Sequence, residues 1–292
     1  MYKQIASNKR KSYLLMFLFF VVLVGISWVY SQYFGTDSSY SMIIFAVILA
    51  TSMNLVSFYA GDSIALNIAG AKQLNKEKNP YVYRIVENIS ITAGLPLPKI
   101  YIISDPAMNA FATGRDPKHA SIALTTGLIE GLENEELEGV IAHELSHVKN
   151  YDIRLMMIVI VCVGVIALLA DWMTRSFFWR NRDSNERGNN GVFLIIGLVL
   201  AILSPIFAKL IQLAISRKRE FLADASGALL TRYPEGLARA LEKISSQKKA
   251  LRRANKATAH LYIANPFGSE KMANLFSTHP PVAARLAALR SM

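Results

Sequence analysis

Long apolar runs alternate along the chain with two stretches of mixed polarity, and four of the runs dominate the pattern. The first extends from about Tyr13 to Phe34 behind a basic start with Lys3, Lys9, Arg10 and Lys11, and the second from about Ser41 to Ala60. Each approaches or exceeds the roughly 20 apolar residues that a helix needs to cross a bilayer. Trp28, Tyr30, Tyr33 and Phe34 close the first run with aromatic side chains where a cleaved signal would carry small ones, so it reads as an uncleaved anchor. The loop to the second run holds Asp37 but neither Lys nor Arg, which points to the outer side. The third and fourth runs, about Leu155 to Trp172 and Val192 to Ile215, have Arg154, Asp171 and Lys209 close to their ends. Each reads as a short span or as half of an inserted hairpin. Between them, Arg175, Arg180, Arg182 and Arg187 argue against a loop on the outside.

The two remaining stretches, about 71–152 and 216–292, contain no repeat, and neither reads as a complete domain. In the first, the alternation in Lys99–Ser104 and in His119–Thr125 predicts two strands of a small sheet, joined through a loop with Pro, Gly and Asp. A helix should start at Asn134, with Glu135, Glu136 and Glu138 in its opening turns and Leu137, Val140, Ile141 and Val148 at helical spacing. In the second stretch, Tyr233-Pro234-Glu235 opens a helix with Leu237, Leu241 and Ile244 on one face. Pro280-Pro281 opens another, with Val282, Leu286 and Leu289.

Composition supports a membrane protein, since 52% of the 292 residues are apolar and mean hydropathy is positive. The single cysteine, Cys162, excludes disulfides and any metal site built on thiolates. The net charge of +11 comes largely from basic residues flanking apolar runs, which suits an anionic bilayer surface. The basic run Lys248 to Lys256 reads as a solvated or lipid-facing surface. No nucleic-acid fold or stacking motif accompanies it, so no nucleic-acid partner is expected.

Chemistry enters with His143-Glu144-Leu145-Ser146-His147 inside the predicted helix. Residues four apart share a helical face, so two imidazoles can reach one zinc ion at about 2.0–2.1 Å while Glu144 reaches a water beside it. A catalytic zinc takes a third protein ligand. Two candidates stand in the sequence. Glu220 lies four residues before Asp224, so Glu220 can ligate while Asp224 accepts the free ring N–H of His143 or His147; the other candidate is His279, in Ser277-Thr278-His279-Pro280.

Taken together, His143-Glu-x-x-His147 with Asn150 and Asp152 just after it, Glu220-Phe-Leu-Ala-Asp224, Asn109-Ala-Phe-Ala-Thr-Gly114 and Ser277-Thr-His279-Pro-Pro281 resemble the HtpX membrane proteases, relatives of the CAAX prenyl proteases. The resemblance covers nearly the whole chain. It implies that Glu220 is the third ligand of one zinc ion per chain. It also implies that Asn109, Ala110, Phe111, Ala112, Thr113 and Gly114 form an edge strand near the substrate, and that His279 lies near the active site without binding the ion. Cleavage of misfolded or damaged membrane proteins in a bacterial inner membrane is the implied activity.

The expected architecture is α+β and predominantly helical: an integral membrane protein with about four transmembrane or hairpin segments and a zincin-like catalytic domain containing a small sheet. The expected divisions are an N-terminal hairpin at 1–70, the first catalytic part at 71–152, a second hairpin at 153–215 and the second catalytic part at 216–292. Glu144 is assigned as general base and proton carrier, and His279 as donor to the developing oxyanion. Since His147 and Glu220 must share one side of the membrane, the chain crosses it an even number of times between them, and the basic N-terminus makes that side cytoplasmic. Expected partners are unfolded or membrane protein substrates and the lipid bilayer. Two rivals stand beside this reading: a prenyl-protein processing protease, disfavoured because four apolar segments form no large enclosure, and an inactive metal-binding scaffold, disfavoured by an intact Glu144.

Overall fold

A computed structural model describes residues 2–34, 39–162, 164, 217–247, 249–255, 258–267 and 280–292. Half of the third apolar run, the whole of the fourth and His279 lie outside the described residues.

Helix α1 (Tyr2–Phe34) packs along α2 (Ser39–Ala69), with the Asn54 amide donating to the Met16 carbonyl at 3.3 Å. Only one face of α1 is buried, and it carries Asn8, Ser12, Leu15, Phe19 and Leu23 at spacings of three and four. Outward on the same pair stand Tyr13, Leu14, Phe17, Ile44, Phe45 and Ile48. An apolar face of that extent belongs against lipid rather than water. Among the described residues, one helical segment, Ile43–Ala69, is long and apolar enough to cross a membrane. Only 17% of its most apolar window is buried, so it is not the core helix of a soluble fold. The chain is thus membrane-associated. Helix α2 runs nine residues beyond the Ala60 limit of the apolar run because Ala65, Leu66 and Ala69 pack into the folded domain rather than into lipid.

The domain contains a four-stranded sheet of order β1-β2-β4-β3, formed by Lys72–Gln73, Lys99–Ile103, Ala110–Gly114 (β3) and Ala120–Thr125. Strands β2 and β4 are parallel, Ile100 opposite Ile122, and they are the two that alternation predicts. The loop between them contains β3, antiparallel to β4 and at the edge of the sheet. Between β1 and β2, α3 (Pro80–Ala93) is capped by the Asn79 side chain and buries Val82, Ile85, Val86 and Ile89. A short helix, α4 (Thr126–Gly131), follows β4.

Helix α5 (Asn134–Lys149) sits at the centre, against α3, β3 and the helices of the C-terminal stretch. Its cap is Glu133, one residue before the expected start, and the Glu136 carboxylate closes the turn by accepting the Glu133 N–H at 2.9 Å. The helix ends at Asn150. Tyr151 then takes a left-handed φ of 60°, and α6 begins at 152, with its described run reaching 162. Among the described residues, three further helices, α7 (Arg217–Thr231), α8 (Pro234–Ser246) and α9 (Val282–Arg290), belong to the domain. Val140 and Ile141 share one core with Leu237, Leu241 and Leu289, so the two soluble stretches fold together.

Two glycines permit the close crossings. A Cβ on Gly139 would lie 2.8 Å from the Leu237 nitrogen, and one on Gly227 would lie 3.0 Å from the His143 nitrogen. The second crossing sets α7 directly over the His143 turn. Glu220 and Asp224 stand on the turns of α7 just before Gly227.

Candidate active site

His143 and His147 project from the same side of α5 with their Nε2 atoms 3.3 Å apart. Glu220 on α7 faces both, with Oε2 3.8 Å from His143 Nε2 and Oε1 3.7 Å from His147 Nε2. Two atoms bound tetrahedrally at about 2.0–2.1 Å from one ion stand about 3.3–3.4 Å apart, so the imidazole pair is at metal-ligating separation and the carboxylate is slightly wider. All three side chains are buried.

Each ring is held from behind by a different carboxylate. Asp224 Oδ1 lies 2.9 Å from His143 Nδ1, and Asp152 Oδ2 lies 3.0 Å from His147 Nδ1. A carboxylate at Nδ1 keeps the ring proton there and leaves the Nε2 lone pair free. The two Nε2 atoms and the Glu220 carboxylate converge in a buried space, the arrangement of ligands around a cation. The donor set, two imidazoles and one carboxylate, is that of catalytic zinc sites with a fourth position open. The residues present fit a metal ion.

Both carboxylates are themselves fixed. Arg285 on α9 grips Asp224 with two hydrogen bonds, Nε to Oδ2 at 2.8 Å and Nη2 to Oδ1 at 2.6 Å. Burial alone would raise the Asp224 pKa, but those bonds and the His143 contact hold it at about 2. Asp152 is fully buried; it accepts the Asn8 amide at Oδ1 at 2.7 Å and lies 3.5 Å from Arg219 Nε.

Glu144 is 2% exposed, and burial pushes its pKa up against the opposing influence of the two histidines. The Ala112 N–H hydrogen-bonds its carboxylate, so the free edge of β3 points at the general-base candidate. On that edge the Ala110 carbonyl accepts from Ile263 N–H at 3.0 Å. Asn109 precedes the strand rather than belonging to it; its side chain pairs with the backbone of Ala264 at 3.0 and 3.3 Å. Ala110, Phe111, Ala112, Thr113 and Gly114 are all buried.

The structure thus gathers Glu144, His143, His147, Glu220 and Asp224 at one point with β3 alongside, while the oxyanion role expected of His279 falls outside the described residues. Sequence reasoning assigned no role to Asp152, Arg285 or Asn8. Asp152 stood in the quoted motif, five residues after His147, and Arg285 lies between apolar residues in the middle of α9.

Comparison with known proteins agrees with this geometry. Residues 76–292 match Peptidase family M48. The curated "Protease HtpX homolog" of Dictyoglomus turgidum is 46% identical over 293 residues, spanning 100% of this chain and 94% of that protein. Its namesake from Tropheryma whipplei is 44% identical over 292 residues, spanning 100% and 98%. Among solved structures, that of S. mikatae Ste24p aligns over 99% of this chain and 67% of its own, at 19% identity and a TM-score of 0.48.

Proposed function

The chain belongs to peptidase family M48 and is a membrane-bound metalloprotease, and from that premise we propose that its ion is zinc, held by His143, His147 and Glu220. One observation carries the assignment: two imidazole Nε2 atoms and a carboxylate converge within 4.8 Å, each ring backed by its own carboxylate. When bound, zinc lowers the pKa of a water toward about 7 and polarises the scissile carbonyl.

The chain's own residues do the rest. Glu144 takes the proton from the attacking water and hands it to the leaving peptide nitrogen; burial, by raising its proton affinity, suits it to both tasks. Asp224 and Asp152, at the Nδ1 atoms of His143 and His147, orient the two rings so that both Nε2 atoms face Glu220. An extended substrate adds to the free edge of β3. Ladder groups alternate sides, so Ala110, Ala112 and Gly114 share that edge, and Ala110 C=O is already taken by Ile263. With the Ala112 N–H engaged by Glu144, the register open to a peptide starts at the Ala112 carbonyl.

The substrates are unfolded or damaged membrane proteins, and the enzyme is a multi-pass protein of a bacterial inner membrane with its site on the cytoplasmic side. The basic residues in the first turns of α1 and the two apolar helices support that orientation. Hydrolysis of an unfolded test protein by the detergent-purified chain tests the reading. A chelator should abolish the activity and zinc should restore it; activity unchanged by the chelator would refute it.

A further inference from the structure

The first turns of α1 reach the active site. Asn8 is 3% exposed, although it belongs to a helix whose other faces are largely open, and its amide makes two long-range hydrogen bonds. One goes to the Asn150 carbonyl, 2.9 Å away at the end of α5; the other goes to Asp152 Oδ1, at 2.7 Å. The second oxygen of the same carboxylate holds His147 Nδ1 at 3.0 Å.

We propose that Asn8 is a positioning residue for the metal centre: through Asp152 it fixes the ring of His147, so that the docked membrane helix is part of the catalytic machinery. The proposal rests on the reading of His147 as a metal ligand.

A carboxylate with one oxygen on His147 and nothing firm on the other can rotate about its Cβ–Cγ bond, and the imidazole would turn with it. Two donors brace Asp152 against that rotation. Arg219 Nε lies 3.5 Å from Oδ1, too far for a good hydrogen bond, whereas Asn8 at 2.7 Å is well within range. Asn8 also grips the carbonyl at the α5 terminus, so one amide fixes both the end of the ligand helix and the carboxylate that follows it. The same turn of α1 contributes a separate docking contact, Lys9 Nζ 4.3 Å from the centre of the Tyr151 ring. That contact lies next to Asp152 in sequence, yet it touches neither the carboxylate nor a ligand, and so provides a control for docking alone.

The test uses the full-length chain in detergent or lipid discs, comparing wild type, Asn8→Ala and Lys9→Ala. The readings are zinc release to a chelator, the visible spectrum of the cobalt(II)-loaded protein, and kcat and KM on one peptide. Asn8→Ala should release zinc about 10-fold faster, at the low end of the effect of losing a group that orients a metal ligand. It should also shift the cobalt spectrum and lower kcat with little change in KM. Lys9→Ala should match wild type in all three.

The proposal is overturned if folded Asn8→Ala keeps the wild-type release rate and spectrum, or if Lys9→Ala reproduces its defect, since docking alone would then be the cause. If Asn8→Ala gives no folded protein, Asn8→Ser takes its place with the same readings and the same criteria. A wild type that holds no metal and hydrolyses nothing would instead defeat the protease reading, which keeps the two failures distinct.

Discussion

His147 Nδ1 and Asp152 Oδ2 stand 3.0 Å apart across the end of a helix, and this contact does for one metal ligand what Asp224 does for the other at 2.9 Å. The two supports come from different elements. Asp224 arrives on α7, whereas Asp152 arrives because Tyr151 adopts a left-handed conformation that turns the chain back beneath α5.

Replacing Asp152 by Asn keeps its size but removes the charge that holds the His147 ring proton. Metal affinity or turnover should fall about 10–100-fold, as for other groups that orient metal ligands. Zinc competition titration on the purified variant measures it, and an affinity within twofold of wild type would remove Asp152 from the account.

Arg285→Ala should unfold the chain more readily rather than simply slow it. Asp224 and Arg285 are both within 1% of complete burial, and deleting one member of such a pair strands the other's charge, at a cost of about 3–5 kcal/mol. Arg285→Lys should rescue little, because a single ammonium cannot make the two-pronged contact. Denaturation midpoints for the three chains decide this.

The His147 ring predicts the pH dependence of metal binding. Burial pulls its pKa down, but the Asp152 hydrogen bond and the charges of Glu220, Asp152 and Glu144 outweigh that and carry it from 6.5 to about 9 in the metal-free chain. With the folded value raised, the proton contributes stability to the metal-free chain below about pH 6.5, and that contribution is lost as pH rises through about 9. Metal needs the neutral ring, so its binding runs the opposite way. Affinity should climb nearly tenfold per pH unit below about 9, with a proton released per ion. Calorimetry in two buffers of different ionisation enthalpy tests it.

Gly227→Val tests how α7 presents Glu220. The added side chain would press on the His143 backbone, where even a Cβ comes within 3.0 Å, and moving α7 off α5 would separate the ligands. Zinc occupancy should drop while the helical content of the chain is kept.

The legible part of this site was the part with helical periodicity. His143 and His147, and Glu220 and Asp224, are both four apart, so each pair could be placed on one helical face from the sequence. Asp152 lies past a turn whose left-handed residue is a tyrosine, a conformation that no propensity announces. Arg285 and Asn8 meet their partners across 61 and 144 residues, and only the packed fold brings such distances to contact. Strand β3 was legible by resemblance rather than by pattern, because Ala110-Phe-Ala-Thr-Gly114 is short, mostly small residues and ends in glycine, with no β-branched run to mark a strand.

The most direct test of the central claim is made at Glu144, where Gln keeps size and shape but cannot take a proton from the attacking water. Zinc content, chain length and turnover should be measured on the same preparations of wild type and Glu144→Gln. Zinc should be equal in both, and turnover of an unfolded protein should fall by at least the roughly 10²–10⁴ that a general base contributes. Any self-cleavage of the wild type should disappear in the variant. Equal turnover in the two proteins would contradict the account.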